Sequence, residues 1–442
     1  MNTYKTVFLF TLLFMFMLIG CSIEGWDYTW QFHGIGVDYD GELEFTLLQP
    51  DGRIEPRSGH ASVVFNDAIW VFGGYNPNAR GDRSTYLADV WYTEDGCTWH
   101  KVTDDAPWKG RRGHQVVVYK DALYLIGGYR VYRENGVTYG GAANDVWRST
   151  DGISWEEIKP NSYKTRVTHP AISTNEDVRG TDLYNPSDDT DWYPRLDHTV
   201  VVYDIDGADP ESEVLALFGG YAKEWMPYLN DGNYDETRKY FADFWMSEDG
   251  IIWTQQSPMT LEGSNSLVFG KYTAGRSAFA HFIHENELFI VGGTSWFNFQ
   301  DTSAGFVVPS WDRIWRRSTA AEWNVLGPND SAYIERKDHE IVEYDNAYWI
   351  FPGSKPAAIQ WYGGADTIWK ITVGEGPSLS IARDGSPGSG SPMYGIADYS
   401  VEVFTPQTGE YAGQSAIFVL FGDGDGGVRN TTWRITKQGE GH

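Results

Sequence analysis

Two cysteines in 442 residues, Cys21 and Cys97, are too few for a disulfide framework, so stability has to come from packing and closure. Basic residues are also scarce: 34 Lys and Arg stand against 61 Asp and Glu, a net charge of −27. Such a surface repels nucleic acid and anionic lipid headgroups unless a local basic site intervenes, and no nucleic-acid partner is expected. The apolar run from Val7 to Ile19 is too short, at 13 residues, to span a bilayer. Neither metal-ligand spacing nor a carboxylate cluster of calcium-loop form occurs, so no metal and no cofactor is expected. What the chain does have is apolar residues, 41%, and aromatics, 16%, a composition that folds.

An apolar strand ends six times in a near-identical tip: Phe72-Gly73-Gly74, Ile126-Gly127-Gly128, Phe218-Gly219-Gly220, Val291-Gly292-Gly293, Phe351-Pro352-Gly353 and Phe421-Gly422-Asp423. Each is preceded by another apolar strand and followed by a strand carrying a tryptophan: Trp91, Trp147, Trp245, Trp315, Trp369 and Trp433. A second tryptophan follows eight residues later in four repeats, at Trp99, Trp155, Trp253 and Trp323. Between the two lie Glu94-Asp95-Gly96, Thr150-Asp151-Gly152 and Glu248-Asp249-Gly250, which read as hairpin turns with glycine in the left-handed position. A hairpin centred on the aspartate places Trp91 across from Trp99, Trp147 from Trp155 and Trp245 from Trp253.

Over residues 43 to 436 these repeats resemble a six-bladed kelch β-propeller, which implies an all-β fold with four antiparallel strands per blade. The Asp-Gly turns are also similar to the Asp-box turns of sialidase propellers, which carry one more residue between Asp and Gly. The last repeat ends nine residues after Trp433, too soon for a fourth strand. Phe45 stands 15 residues before His60, as Trp99 stands 15 before His114. Residues 43–48 are therefore expected to complete the sixth blade and to close the ring between the two ends of the domain, residues 43–442.

Leu18-Ile19-Gly20-Cys21, after one positive charge at Lys5, resembles the lipobox of bacterial lipoproteins. The resemblance implies a signal peptide over residues 1–20, a lipid on Cys21, and a tether over 21–42 leading to a propeller in the bacterial cell envelope. Removing residues 1–20 removes only Lys5, so the mature charge is 33 minus 61, or −28. Ser22 follows Cys21 where aspartate marks inner-membrane retention in some bacteria, which points to the outer membrane.

First-to-second connections are short, as at Asn66-Asp67 and Lys120-Asp121. Insertions fall instead between second and third strands and between one repeat and the next, over residues 75–88, 129–144, 156–194, 221–242, 254–275, 294–311 and 354–365. Strands alternate in direction, so both sets emerge on one face of the disc. These stretches hold many aromatics, among them Tyr129, Trp225, Trp296 and Trp361, which suit sugar faces and protein partners alike.

Arg57, Arg111, Arg195, Arg276 and Arg336 each precede a first-strand position held by His60, His114, His198, Phe279 and His339, with Tyr399 in the sixth repeat. First strands line a propeller's channel, so the sequence places up to five guanidinium groups around one axis. They are neutralised either from within, by Asp197, Asp338, Glu340 or carbonyls, or by an anionic ligand. The histidines fit blade staples better than bases or metal ligands.

These features point to a monomeric envelope lipoprotein that binds an acidic glycan or a protein on its loop face. A resemblance to the kelch epimerases of sialic acid implies an alternative, an enzyme of acidic sugars, for which no catalytic motif can be matched. A structural envelope scaffold is the third reading. A copper radical oxidase is excluded, because Cys97 lies beside a turn on the bare face.

Overall fold

The computed structural model describes residues 41–48, 54–78, 85–134, 137–162, 191–204, 212–227, 234–256, 276–294, 314–318, 323–326, 336–354, 367–373, 379–385, 396–423 and 427–438. Within them the chain forms six small antiparallel sheets arranged as a six-bladed β-propeller. Blade 1 runs Ala61–Phe65, Ala68–Tyr75, Tyr86–Thr93 and His100–Thr103 in spatial as well as chain order. Blade 6 takes Ser400–Phe404, Ala416–Leu420 and Thr432–Lys437 from one end of the domain and Leu43–Leu48 from the other. The expected closing strand pairs from Leu43 opposite Lys437 to Leu48 opposite Thr432, so the ring has no open strand edge there.

The core is six slabs, one between each pair of neighbouring blades. Blade 1 packs Phe72 and Trp70 against Val116, Leu123 and Leu125 of blade 2. Trp349 and Phe351 of blade 5 meet Ile417 and Trp433 of blade 6. Because both faces of a second strand are covered, its sequence is continuously apolar, as in Ile69-Trp70-Val71-Phe72, all buried.

The expected tryptophan pairs are corrected: the residue facing each first tryptophan lies two positions beyond the second. The Asp95 carboxylate accepts from the Cys97 and Thr98 amides at 2.7 and 2.6 Å, which centres the turn on Gly96 and sets Trp91 opposite Lys101. Trp147 likewise faces Glu157, and Trp245 faces Gln255. A shift of two residues in the partner keeps the side a residue points to, so Trp91 and Trp99 share one slab, as do Trp147 and Trp155, and Trp245 and Trp253. Trp99 therefore packs on Phe421 of blade 6 at 5.3 Å, and Trp155 on Phe72 of blade 1 at 5.7 Å, sealing each blade to the one before it.

Two inserted stretches are ordered hairpins rather than loops. In blade 2, Ala122–Glu134 pairs with Val137–Ser149 along its whole length; in blade 3, Tyr221 to Pro227 pairs with Tyr234–Tyr240. Cys97 is buried and disulfide-bonded rather than a free thiol. Residues 1–40, which hold the expected signal peptide, Cys21 and most of the expected tether, lie outside the described residues; among the described residues no helix is long and apolar enough to cross a membrane.

Candidate functional site at the channel mouth

Where each blade's chain enters its innermost strand, one residue adopts a positive φ: Gly59, Gly113, Asp197, Ala278, Asp338 and Asp398, all between 49° and 60°. Glycine, and aspartate with its short polar side chain, tolerate this conformation best. Their amides link the blades around the axis. Gly59 N–H donates to Asp398 O at 2.9 Å, Gly113 to Gly59 at 2.8 Å, Asp197 to Gly113 at 2.9 Å, Ala278 to Asp197 at 3.1 Å and Asp338 to Ala278 at 2.9 Å. This ring is the mouth of the channel.

The sequence reading put five guanidinium groups on the axis; the structure buries all five inside the blades. Arg57 donates to both Asp89 oxygens at 2.7 and 2.8 Å, Arg111 to both Asp145 oxygens at 2.9 and 2.8 Å, and Arg195 to both Asp243 oxygens at 2.6 and 2.7 Å. The same arginines each donate to a tip carbonyl, of Gly73, Gly127 and Gly219, at 2.8 Å. Trp91, Trp147 and Trp245 complete the motif by donating their indole N–H to those aspartates at 2.7, 3.0 and 2.8 Å. Against the cost of burial, the arginine charge holds all three carboxyls below the ordinary range. Asp197, Asp338 and Glu340, which the sequence offered as neutralisers, are not these partners. Arg336 donates to the carbonyls of Phe351 and Thr367 at 3.0 and 2.6 Å. Arg276 donates to the Gly292 carbonyl at 3.0 Å.

The histidines sit between the tips. A Cβ on Gly74 would stand 3.0 Å from the Cβ of His60 in the same blade; Gly128 is set the same way against His114, and Gly220 against His198, at 2.6 and 2.7 Å. The first tip glycine meets the next blade: Gly73 faces His114, Gly127 faces His198 and Gly292 faces His339. Burial is the first cause that holds His60 and His198 down to about 3 and His114 and His339 well below 6.5, with the neighbouring arginine second. They are neutral staples. In blade 6 the second-glycine position belongs to Gly422, which lies against Tyr399, so the tip is Leu420-Phe421-Gly422, one residue earlier than the sequence alignment placed it. Phe421 takes the left-handed position at φ 57°.

The charges that do reach the mouth belong to the next residues along. The Arg112 side chain runs over Gly59, and an Asp197 carboxylate oxygen stands 2.2 Å from where a Gly113 Cβ would be. Burial works against the Arg112 charge, yet Asp197, Tyr221, Tyr86 and Asp398 hold its pKa above the ordinary value. Lys337 pairs with Asp338, which also accepts from Ser354 Oγ at 2.6 Å. Burial, then Asp338 and Asp197, push Asp398 well above the carboxylate range, which Lys337 and Arg112 only partly offset.

Tyrosines wall this cluster. Tyr75 contacts Tyr86 at 5.1 Å and Tyr86 contacts Tyr129 at 5.7 Å, while Arg112 lies over the Tyr75 ring at 5.2 Å. Tyr221 stacks on Tyr240 at 5.6 Å across the blade 3 hairpin. Tyr129 is thus at the predicted site. Trp225 lies in the blade 3 hairpin, but its side chain, like all of Trp296 and Trp361, is outside the described residues. Sequence reasoning missed Arg112, Lys337 and Asp398, although their repeated offset from the arginine positions was available.

Below the mouth, Glu340 and Glu402 line the channel, and Ser62 donates to Glu402 at 2.5 Å. Burial pushes Glu340 up to about 8 and Glu402 up to about 7, with each other carboxylate a lesser cause for Glu340.

Residues 56–104, the span of blade 1, match the Kelch motif family. Together, fold and motif define a six-bladed kelch-type β-propeller, an architecture that commonly mediates protein interactions. The chain is similar to tag-53 of Caenorhabditis elegans, 33% identical over 93 residues, which is 21% of this chain and 7% of that protein. It is also similar to beta-scruin and alpha-scruin of Limulus polyphemus, at 33% and 32% identity over 16% and 17% of this chain. The match covers 8% of each scruin, so less than a tenth of any of these relatives is spanned. The solved structure of YjhT aligns with a TM-score of 0.53 over 88% of this chain and 99% of that one, at 12% identity, a likeness of fold alone.

Proposed function

We propose that this propeller belongs to an envelope lipoprotein and binds an acidic glycan or a protein partner at its channel mouth. The observation that carries the reading is the setting of Arg112. Its cation lies against tyrosine rings on a chain of net charge −27, beside the two projecting hairpins. Flat rings suit sugar faces and protein side chains, and a guanidinium takes a carboxylate bidentately. Binding to a glycan array or to envelope extracts should fall at least about tenfold in an Arg112→Gln, Lys337→Gln double variant. Binding equal to the parent in that variant would remove the mouth from consideration.

In this reading residues 1–20 are cleaved, Cys21 carries the lipid, residues 21–42 tether a monomeric propeller, and the outer membrane holds it. A lipid thioether and a disulfide at the Cys21 sulfur exclude each other. The mass of the membrane-extracted protein separates them, and an unlipidated Cys21 would end the anchor proposal.

The raised carboxyls Glu340 and Glu402 favour a second reading, turnover of an acidic sugar. Mutarotation of sialic acid anomers, followed by NMR, tests it, and a rate equal to buffer excludes that activity.

A further inference from the structure

The face opposite the mouth holds isoleucine side chains out in solvent. Four large apolar residues are exposed among the described residues, and three of them, Ile153 at 62%, Ile251 at 48% and Ile252 at 72%, lie on two neighbouring turns of that face, in blades 2 and 3. The turns fix them there: Asp151 accepts from the Ile153 and Ser154 amides at 2.8 and 2.7 Å, and Asp249 from the Ile251 and Ile252 amides at 2.8 and 2.9 Å. The same turn in blade 1 is covered from within. There Cys97 takes the place of Ile153 and is 1% exposed, in one cluster with Phe418 and Tyr411 of blade 6, and a Cβ on Gly409 would meet Asp95 at 2.9 Å. That cover comes from the long connection between Phe404 and Ala416. The matching connections before blades 2 and 3 are only Asn66-Asp67 and Lys120-Asp121, which leave both turns open.

The chain outside the fold joins it at this face. Leu43, where the closing strand begins, lies opposite Lys437, and the Lys437 amine pairs with Asp345 in the first-to-second turn of blade 5.

We propose that the bare face docks on a zwitterionic lipid surface, with Ile153, Ile251 and Ile252 entering the headgroup layer and the mouth turned away from the bilayer. This docking rests on the lipid anchor at Cys21 proposed above. A tether that joins the propeller at its bare face holds that face near the bilayer at high effective concentration, so the burial of a few isoleucines suffices where alone it would be marginal. Docking the mouth instead would take the tether around the rim of the disc and close the recognition face. Charge selects the lipid. Asp151, Glu248 and Asp249 are exposed beside the isoleucines, as are Asp67 and Asp121 on the neighbouring connections, and Lys120, which donates to the Glu248 carbonyl at 3.3 Å, offsets only part of this. Anionic headgroups are therefore repelled.

A polarity-sensitive fluorophore on Ile153→Cys, in the full chain carried by phosphatidylcholine vesicles, tests the orientation. Asn78→Cys, exposed beyond the blade 1 tip on the mouth side, is the control, and Cys97 is too buried to take the label. Lipid bearing a nitroxide near its headgroup should quench the label at Ile153→Cys at least about threefold more than at Asn78→Cys. Adding Ile251→Ser and Ile252→Ser, or replacing a third of the lipid by phosphatidylglycerol, should cut that difference by about half or more. A chain that floats with the vesicles but is quenched equally at both labels overturns the docking and leaves the anchor standing. A chain that does not float removes the anchor and the docked face with it. An emission shift at Ile153→Cys that grows with protein concentration in the absence of lipid would give the patch to a second copy of the chain and overturn the lipid surface.

Discussion

Arg111 and Asp145 are both fully buried and meet through two hydrogen bonds of 2.9 and 2.8 Å, which ties the start of blade 2 to its third strand. Removing one member strands the other charge inside the blade. Asp145→Ala should cost about 3–5 kcal/mol in denaturant unfolding, and Arg111→Met with Asp145→Leu should recover much of it. A single variant as stable as the parent would show that the pair does not hold the blade.

The tip glycines are required for two reasons at once. Gly127 has φ 61°, and a Cβ there would meet His198 at 2.9 Å and the Ala143 carbonyl at 3.1 Å. Gly413 has φ 76° with nothing within 4 Å. Gly127→Ala should therefore cost more than the 1–2 kcal/mol of left-handed strain expected at Gly413→Ala. Equal losses in denaturant titrations would mean that blade contact adds nothing.

His114 has neither ring nitrogen paired, and Phe279 fills the same place in blade 4, stacked on Phe218 at 5.5 Å. His114→Phe should therefore fold, within about 1.5 kcal/mol of the parent. The His114 pKa is depressed in the folded state, so stability is lost as pH falls below the unfolded value of 6.5 toward the folded one. The variant should lose less stability than the parent between pH 6.5 and 4.5. An unchanged acid limb would contradict the neutral-staple role.

Glu340 acts with the opposite sign. Its folded pKa is raised from 4.5 to about 8, so its contribution is complete below 4.5 and is lost as pH rises through 8. Glu340→Gln should narrow the difference in unfolding midpoint between pH 6 and pH 8.5, by about 2 °C or more. A parent whose midpoint does not fall over that interval would show that this carboxyl is solvated.

Local signals were the legible ones. Tips such as Gly73-Gly74, the short connections and the closing strand Leu43–Leu48 follow from spacing within a repeat. The Arg–Asp braces were hidden because Arg57 and Asp89 stand 32 residues apart, Arg111 and Asp145 34, and Arg195 and Asp243 48, with insertions of different length between. The Asp-x-Trp pattern of the third strands was the signal that could have revealed them. Phe421 displaced the sixth tip by a residue, because an apolar side chain occupies a left-handed position that sequence reasoning assigns to glycine. At the mouth, Arg112 and Asp197 come from different blades, and only closure of the ring brings them together.

Hydrogen exchange in the presence of a glycan or protein partner captured from envelope extracts tests most directly whether recognition belongs to the mouth. New protection is expected at residues 57–59, 111–113 and 336–338, with no change at the opposite-face turns 94–98, 150–154 and 248–252. Protection confined to those turns, around exposed Ile153 and Ile252, would contradict it.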